Sequence, residues 1–272
     1  TTPDAALERF YAMSAASLAR RAPSRQQRCP ACWHDAASAC CCPALPPVSF
    51  TLDCRFLVYT HTLEWYNAGD DGKLLPIAAP GAARTLVFGR REDDEWLQRE
   101  LEEARGNAVL LFPCEGAVGA GDLAGVGVGA PRKEAAAASG AAAPALRVVV
   151  LNGTWNRVKA MRRHLARLQL LPAVAVQLSP TSIEWWVGLS GGESVYLRGG
   201  KSRADGSRPL DRICTVEAVA CLLRELGEEE KACEALVGMV RANNRALQCV
   251  DVRGTPRAPP PAATEPHRCR RS

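Results

Sequence analysis

The chain has 272 residues and is 47% hydrophobic, enough to bury a full core as one or two domains. No apolar run approaches the roughly 20 residues a helix needs to cross a bilayer, and no membrane partner is expected. The net charge of +5 is mildly basic, a weak pull toward an anionic partner that depends on where the cations lie. No signal peptide is read. The opening at Thr1, without Met, leaves a trimmed targeting segment open.

Residues 3–21 read as a helix, with Ala6, Leu7, Phe10, Met13 and Leu18 in a loose stripe, so residues 1–24 are set apart as an N-terminal helix. Residues 28–47 form a Cys-rich segment closed by Pro46-Pro47. Phe56–Tyr59, Leu86–Phe88 and Ala108–Phe112 read as strands, with a charged helix from Glu92 to Arg105. Residues 116–145 are nearly all Gly and Ala and read as a disordered insertion, because so little apolar surface cannot order a segment. Arg147–Leu151 is a fourth strand, Trp155–Leu170 a helix and Ala173–Leu178 a fifth strand. Thr215 reads as the N-cap of a helix that stops at Gly227, with Glu217 in the first turn where the helix dipole favours it. A further helix runs from about Glu228 to Leu247, and residues 251–272 form a Pro-rich, basic tail read as disordered. Strands alternating with helices predict an α/β domain over residues 25–250 with a mainly parallel sheet.

Five of the twelve Cys crowd between Cys29 and Cys42. A secreted disulfide framework suits shorter chains, so this crowding reads as a metal site in a reducing compartment. Cys29 and Cys32 form CxxC, and Cys40 and Cys42 form CxC. Four such thiolates can close a tetrahedron around Zn²⁺, with Cys41 turned away. The competing reading is a set of free or redox-active thiols. His34 reads as an exposed polar side chain rather than a ligand.

The most informative stretch is Asn152-Gly153-Thr154-Trp155. It follows the apolar run Val148–Leu151 and precedes a basic helix. A buried strand that ends at a Gly turn and feeds a helix is where α/β proteins place ligand sites. On that helix Trp155, Val158, Met161, Leu165 and Leu168 form one stripe, so Arg157, Lys159, Arg162 and Arg163 face outward as a phosphate-contacting surface or an ordinary solvated face. No acidic residue occurs between Glu134 and Glu184. Trp185-Trp186 could stack on a base of single-stranded RNA, or pack in the core.

These stretches, in order, resemble the DTW-domain family. Arg28-Cys29-Pro30-Ala31-Cys32 with Cys40-x-Cys42 resembles its Arg-led CxxC…CxC. Tyr59–Glu64 is similar to its His-Pro-x-Glu segment, with Thr62 in place of Pro. Asp70-Asp71-Gly72-Lys73-Leu74 is similar to Asn-Thr-Gly-Arg/Lys-Leu. Phe112-Pro113 to Ala117 resembles Tyr-Pro-x-x-x-Ala. Asn152–Trp155 resembles the name-giving Asp-x-Thr-Trp, with Asn152 in place of Asp. Arg198, with Thr215-Val216-Glu217-Ala218, resembles the family's Arg…Ser-Thr-x-Glu-Ala.

The resemblance implies a SPOUT-like, knotted sheet with helices on both faces and a small N-terminal zinc knuckle. It implies a tRNA-uridine aminocarboxypropyltransferase, which moves the 3-amino-3-carboxypropyl group of S-adenosylmethionine to uridine N3. Asp71, Gly72, Pro113, Trp155, Thr215 and Ala218 are the expected cofactor residues, with free N–H groups where the Thr215 helix begins. Trp155 would wall the methionine tail. The N3 proton needs an acceptor. Asn152 is no general base but could accept a hydrogen bond from N3–H, leaving Asp71, Glu64 or Glu217 to take the proton, or water at reduced rate. Arg157, Lys159, Arg162, Arg163 and Arg198 are the expected tRNA contacts. The alternative is a zinc-containing RNA-binding paralogue that has lost catalysis at Asn152. Methyl transfer is a third reading, which S-adenosylhomocysteine instead of methylthioadenosine as by-product would distinguish. No obligate protein partner is expected. The localisation reading is cytoplasmic or nuclear, with an organelle left open.

Overall fold

The computed structural model describes residues 3–21, 26–129, 144–190 and 213–248. Its elements, in order, are α1 (Pro3–Arg21), β1 (Cys54–Thr60), α2 (Leu74–Ala78), β2 (Ala83–Val87), α3 (Arg91–Glu103), β3 (Ala108–Leu111), β4 (Leu146–Asn152), α4 (Trp155–Arg167), β5 (Val174–Val176), α5 (Pro180–Ser190), α6 (Thr215–Glu225) and α7 (Glu230–Gln248). The five strands pair in the order β2-β1-β4-β3-β5, all parallel. The α/β expectation with a parallel sheet holds.

Parallel strands covered on both faces read as unbroken apolar runs, because both sets of alternating side chains are buried. β4 is buried at all seven positions. Leu146, Val148 and Val150, with Phe56 and Val58 of β1, join the core with α2, α6 and α7. Val149 and Leu151, with Leu57 and Tyr59, join a second core against α3 and α4. Helices therefore cover both faces. α1 belongs to the second side: Phe10 packs on Phe88 with centroids 5.1 Å apart, and the Tyr11 hydroxyl donates to Asp94, 2.9 Å away.

Two differences from the sequence reading stand out. Part of the expected disordered insertion is ordered. Val118 bridges to Val176 beside β5, and Ala120–Val126 forms a 3-10 helix with Ala120 and Leu123 buried. A few apolar anchors, among them Val128, suffice to fix this stretch, which a composition average over the segment hides. Residues 130–143 lie outside the described residues. The second difference is α5, which the sequence reading passed over. Ser179 followed by Pro180 is a helix-start signal, and the Ser182 N–H donates to the Ser179 hydroxyl at 3.2 Å. Trp186 on α5 is buried at 1% exposure, so it is core and no RNA platform. Trp185 is half-buried and donates through Nε1 to Glu230.

Candidate functional site

The carboxyl ends of all five strands share one edge, marked by Thr60, Val87, Leu111, Asn152 and Val176. The chain leaves β1 outward to β2 and later crosses to β3 beyond β4. The order therefore reverses around the central β1–β4 pair, where open α/β sheets hold ligands.

Asn152 ends β4 opposite Thr60. The two-residue period that sends Leu146, Val148 and Val150 toward α6 sends Asn152 there too. Its side chain is 2% exposed and hydrogen-bonded through both its nitrogen and its oxygen. Nδ2 donates to Asp70 Oδ1 at 2.8 Å and to the Thr60 hydroxyl at 3.2 Å, and Oδ1 accepts from the Thr215 hydroxyl at 2.9 Å. One amide thus joins β1, the turn before α2 and the start of α6. Gly72 lies so close that a Cβ there would meet Asn152 Nδ2 at 2.4 Å. Its carbonyl already accepts from Thr215, so a uridine N3–H would have to meet the second lone pair of a side chain that is only 2% exposed.

The acids weighed as alternatives are also engaged. Asp71 Oδ2 accepts from the Val216 N–H at 2.8 Å. Glu64 is ion-paired with Arg157 and accepts from Asn67. Glu217 accepts from the Cys214 N–H at 3.0 Å in a capping box. Asp70, which the sequence reading did not single out, differs. It is 2% exposed, and its Oδ2 has no hydrogen-bond partner among the described residues. Burial, with the Asp71 charge beside it, pushes its carboxyl up to about 8. Lys73, also buried, is drawn down to about 8 by burial, against the opposing pull of Asp70. The signal in the sequence was the pair of departures at Asp70 and Asn152. Where the resemblance puts Asn and Asp, this chain has Asp and Asn, in direct contact.

The start of α6 corrects two expectations. Its N-cap is Cys214, not Thr215, whose hydroxyl goes instead to Asn152. The N–H of Val216 is taken by Asp71, and that of Glu217 by the Cys214 side chain. Those N–H groups are therefore not open to a ligand. Ala218 follows one residue on, half-buried.

The four expected metal ligands converge. Cys29, Cys32, Cys40 and Cys42 place their sulfurs within 4.8 Å of one another. The Cys29–Cys42 and Cys32–Cys40 separations are 3.6 and 3.8 Å. A tetrahedral Zn²⁺ with bonds of about 2.3 Å requires sulfurs roughly 3.8 Å apart, so the set fits the ion. Burial alone would raise the Cys32 thiol, yet donors from the His34 and Cys41 backbone and from neighbouring thiols bring it down to about 6. Cys41 turns into the core, as expected. His34 is not exposed: at 1% exposure its Nε2 meets Asn243 Oδ1 at 2.9 Å, and burial first, then Lys73, lowers it to about 4.

The knuckle is braced against the loop that carries Asp70. Trp33 and Tyr66, both in the left-handed region with φ of 59° and 61°, stack with centroids 5.6 Å apart. Arg28 Nη1 donates to the Tyr66 carbonyl at 2.6 Å, and Lys73 Nζ lies 5.6 Å from the Trp33 ring centroid.

Trp155 goes the other way. It opens α4 beyond the sheet edge, 54% exposed rather than on the buried stripe. Its ring stacks on Phe112, centroids 5.2 Å apart and 17° from parallel. Phe112 belongs to the core on the α3/α4 side. Trp155 and Pro113 line an open depression of about 480 Å³ with Lys159, Arg162 and Arg163. These two expected cofactor residues line the depression beside Phe112, whereas Gly72 and Thr215 meet at Asn152 and Asp71 meets the start of α6. Among the expected RNA contacts, Lys159, Arg162 and Arg163 are exposed. Arg157 is instead bound to Glu64, and Arg198 lies outside the described residues.

A family model described as DTW domain matches residues 26–247. No curated protein and no solved structure matches the chain. No helix among the described residues is long and apolar enough to cross a membrane.

Proposed function

The chain belongs to the DTW-domain family, whose members are linked to tRNA modification, and on that premise we propose that it is a tRNA-uridine aminocarboxypropyltransferase. Bound S-adenosylmethionine supplies a sulfonium whose attached carbons are already electrophilic. The work left to the protein is to choose the carbon that faces uridine and to handle one proton, which is positioning rather than covalent chemistry. The N3–H bond breaks, an N3–C bond forms, and the C–S electron pair returns to sulfur as methylthioadenosine leaves.

The observation that carries this reading is the orphaned carboxyl oxygen of Asp70 at the β1–β4 edge. A buried acid raised to about 8 has the basicity a general base needs near neutral pH. We assign the proton-accepting role to Asp70, with Asn152 as the residue that positions it. Gly72, Asp71, Thr215 and Ala218 form the wall against which the cofactor sits in this reading. The four knuckle cysteines would hold a structural Zn²⁺, whose contribution is to stiffen the Trp33–Tyr66 contact and the loop behind it. Lys159, Arg162 and Arg163 supply the phosphate-contacting face for tRNA. The SPOUT-like knot remains part of the proposal, as does a cytoplasmic or nuclear location.

The test is nucleoside mass spectrometry of unmodified tRNA incubated with the protein and S-adenosylmethionine. The expected result is an aminocarboxypropyl uridine with methylthioadenosine, strongly reduced in Asp70→Asn and recovered in the exchange Asp70→Asn/Asn152→Asp. No new nucleoside from the wild type, with tRNA still bound, overturns it in favour of the RNA-binding paralogue. That second reading draws on the three hydrogen bonds that hold the Asn152 amide within the fold.

A further inference from the structure

The depression beside α4 has a composition that the transfer chemistry does not explain. It joins a half-exposed tryptophan to three cations, and no carboxylate among the described residues lines it. Phe112 lies parallel to Trp155 and rigidifies it. Lys159 Nζ lies 5.8 Å from the Trp155 ring centroid, and Arg162 Cζ lies 5.5 Å from that of Phe112. Trp155 is the one aromatic ring among the exposed large hydrophobics of the described residues, and tryptophan is enriched at interfaces. An aromatic face flanked by cations matches a nucleotide: the base stacks on the ring and the phosphates meet the cations.

We infer that Trp155, backed by Phe112 and flanked by Lys159, Arg162 and Arg163, is a stacking shelf for an unpaired base of the RNA substrate. This rests on the tRNA reading above and deepens it. A base can lie on the shelf only if it is unstacked from its neighbours, so the surface selects single-stranded or looped RNA over duplex. It also changes the role expected of Trp155. The ring lies beyond the sheet edge with Phe112 of the α3/α4 core, whereas Asn152, Asp70 and Thr215 meet on the α6 side. An indole placed there takes RNA and not the methionine tail.

The experiment measures binding of an oligouridylate and of a blunt RNA duplex to the full chain, with S-adenosylmethionine binding measured alongside. The single strand should bind more tightly than the duplex. Trp155→Leu should weaken the single strand roughly ten- to a hundredfold, the usual loss for one stacked base. Trp155→Phe should keep most of the affinity, and cofactor affinity should stay within about twofold in both variants. Wild-type protein photocrosslinked to an iodouridine-substituted strand should yield a linked peptide containing Trp155, a readout that needs no variant to fold. Equal binding of duplex and single strand, unchanged RNA affinity in Trp155→Leu, or a cross-link confined to other peptides overturns the shelf. A cofactor affinity that falls while RNA binding stays returns Trp155 to the cofactor. The shelf and the transfer reading fail separately. Trp155-dependent RNA binding with no modified nucleoside removes only the transfer, and a modified nucleoside with Trp155-independent binding removes only the shelf.

Discussion

Asn152 and Trp155 stand three residues apart in one motif, yet they serve opposite sides of the sheet. Asn152 ends a strand and turns into a closed network of three hydrogen bonds. Trp155 begins a helix and stands over a basic depression in solvent. The turn at Gly153 converts a period of two into a period of 3.6 and so divides the motif between the faces. A short motif therefore carries two kinds of constraint. Substitutions on the inner side should act on stability and proton handling, and those on the outer side on binding alone.

The largest effect expected is on the knuckle, because it braces the inner side. Cys32→Ser removes one of four converging thiols at a fully buried position. It should abolish stoichiometric zinc by elemental analysis and lower Tm by on the order of 10 °C. Stripping the metal with a chelator should increase amide exchange in residues 61–73 while leaving α4 protected. Equal loosening of α4 would show that the two sides are one unit and break the comparison.

Asn152→Ala comes next. It takes partners from Asp70, Thr60 and Thr215 at once. Groups left buried and unpaired cost about 1–3 kcal/mol each with partial relaxation, so a net loss of about 3 kcal/mol is expected by denaturant titration. A loss below about 1 kcal/mol would mean that water enters the network freely.

Asp70 gives a pH signature. In the folded chain its carboxyl is raised to about 8, against about 3.9 when unfolded. Between those values the folded state holds a proton that the unfolded state has released, so stability falls as pH rises through that window. Asp70→Asn keeps an acceptor for Asn152 and should flatten the slope between pH 4 and 8. It should be at least as stable as wild type at pH 8 while transferring poorly. An unchanged pH slope would show that Asp70 is not a buried acid and would undo its proposed role.

How much of this could be read from the sequence follows the same division. The strands were legible because fully buried parallel strands are continuous apolar runs with clear stops, as in Val148–Leu151. The four-cysteine cluster was legible because its spacing is local, and all four sulfurs converge as expected. The inner network was not, because it joins residues 63 and 82 positions from Asn152, and no local pattern encodes such a meeting. The capping role given to Thr215 failed for that reason: its hydroxyl had a better partner across the fold. Helical periodicity misplaced Trp155, since a stripe predicts burial only where there is core beneath it, and the first turn of α4 overhangs the sheet edge. His34 has the local pattern of a surface residue, and its burial comes from α7, which brings Asn243 against it from 209 residues away.

The smallest effect on stability, and the cleanest on binding, is expected for the outer cations. Arg162 and Arg163 are both exposed. Exposed surface substitutions usually change stability by less than about 0.5 kcal/mol, and the loss of the Arg162 contact with the Phe112 ring adds roughly 0.5–1 kcal/mol at an exposed site. Arg162→Glu/Arg163→Glu should therefore melt close to wild type and bind S-adenosylmethionine normally. Its affinity for RNA should still fall, because two phosphate contacts become two repulsions. The salt dependence separates this from a general loss of affinity. Each phosphate contact on a single strand contributes a slope of roughly −0.7 in log K against log salt, so losing two should flatten the slope by about 1.4. Trp155→Leu predicts the converse: lower affinity with the slope retained, since stacking releases no counterions. If both variants lower affinity and flatten the slope together, shelf and cations are not separable contacts and the outer face binds as a diffuse basic surface. If they separate, the base and the phosphate are read by different residues about two turns apart on one helix, and the inner side is left to the chemistry.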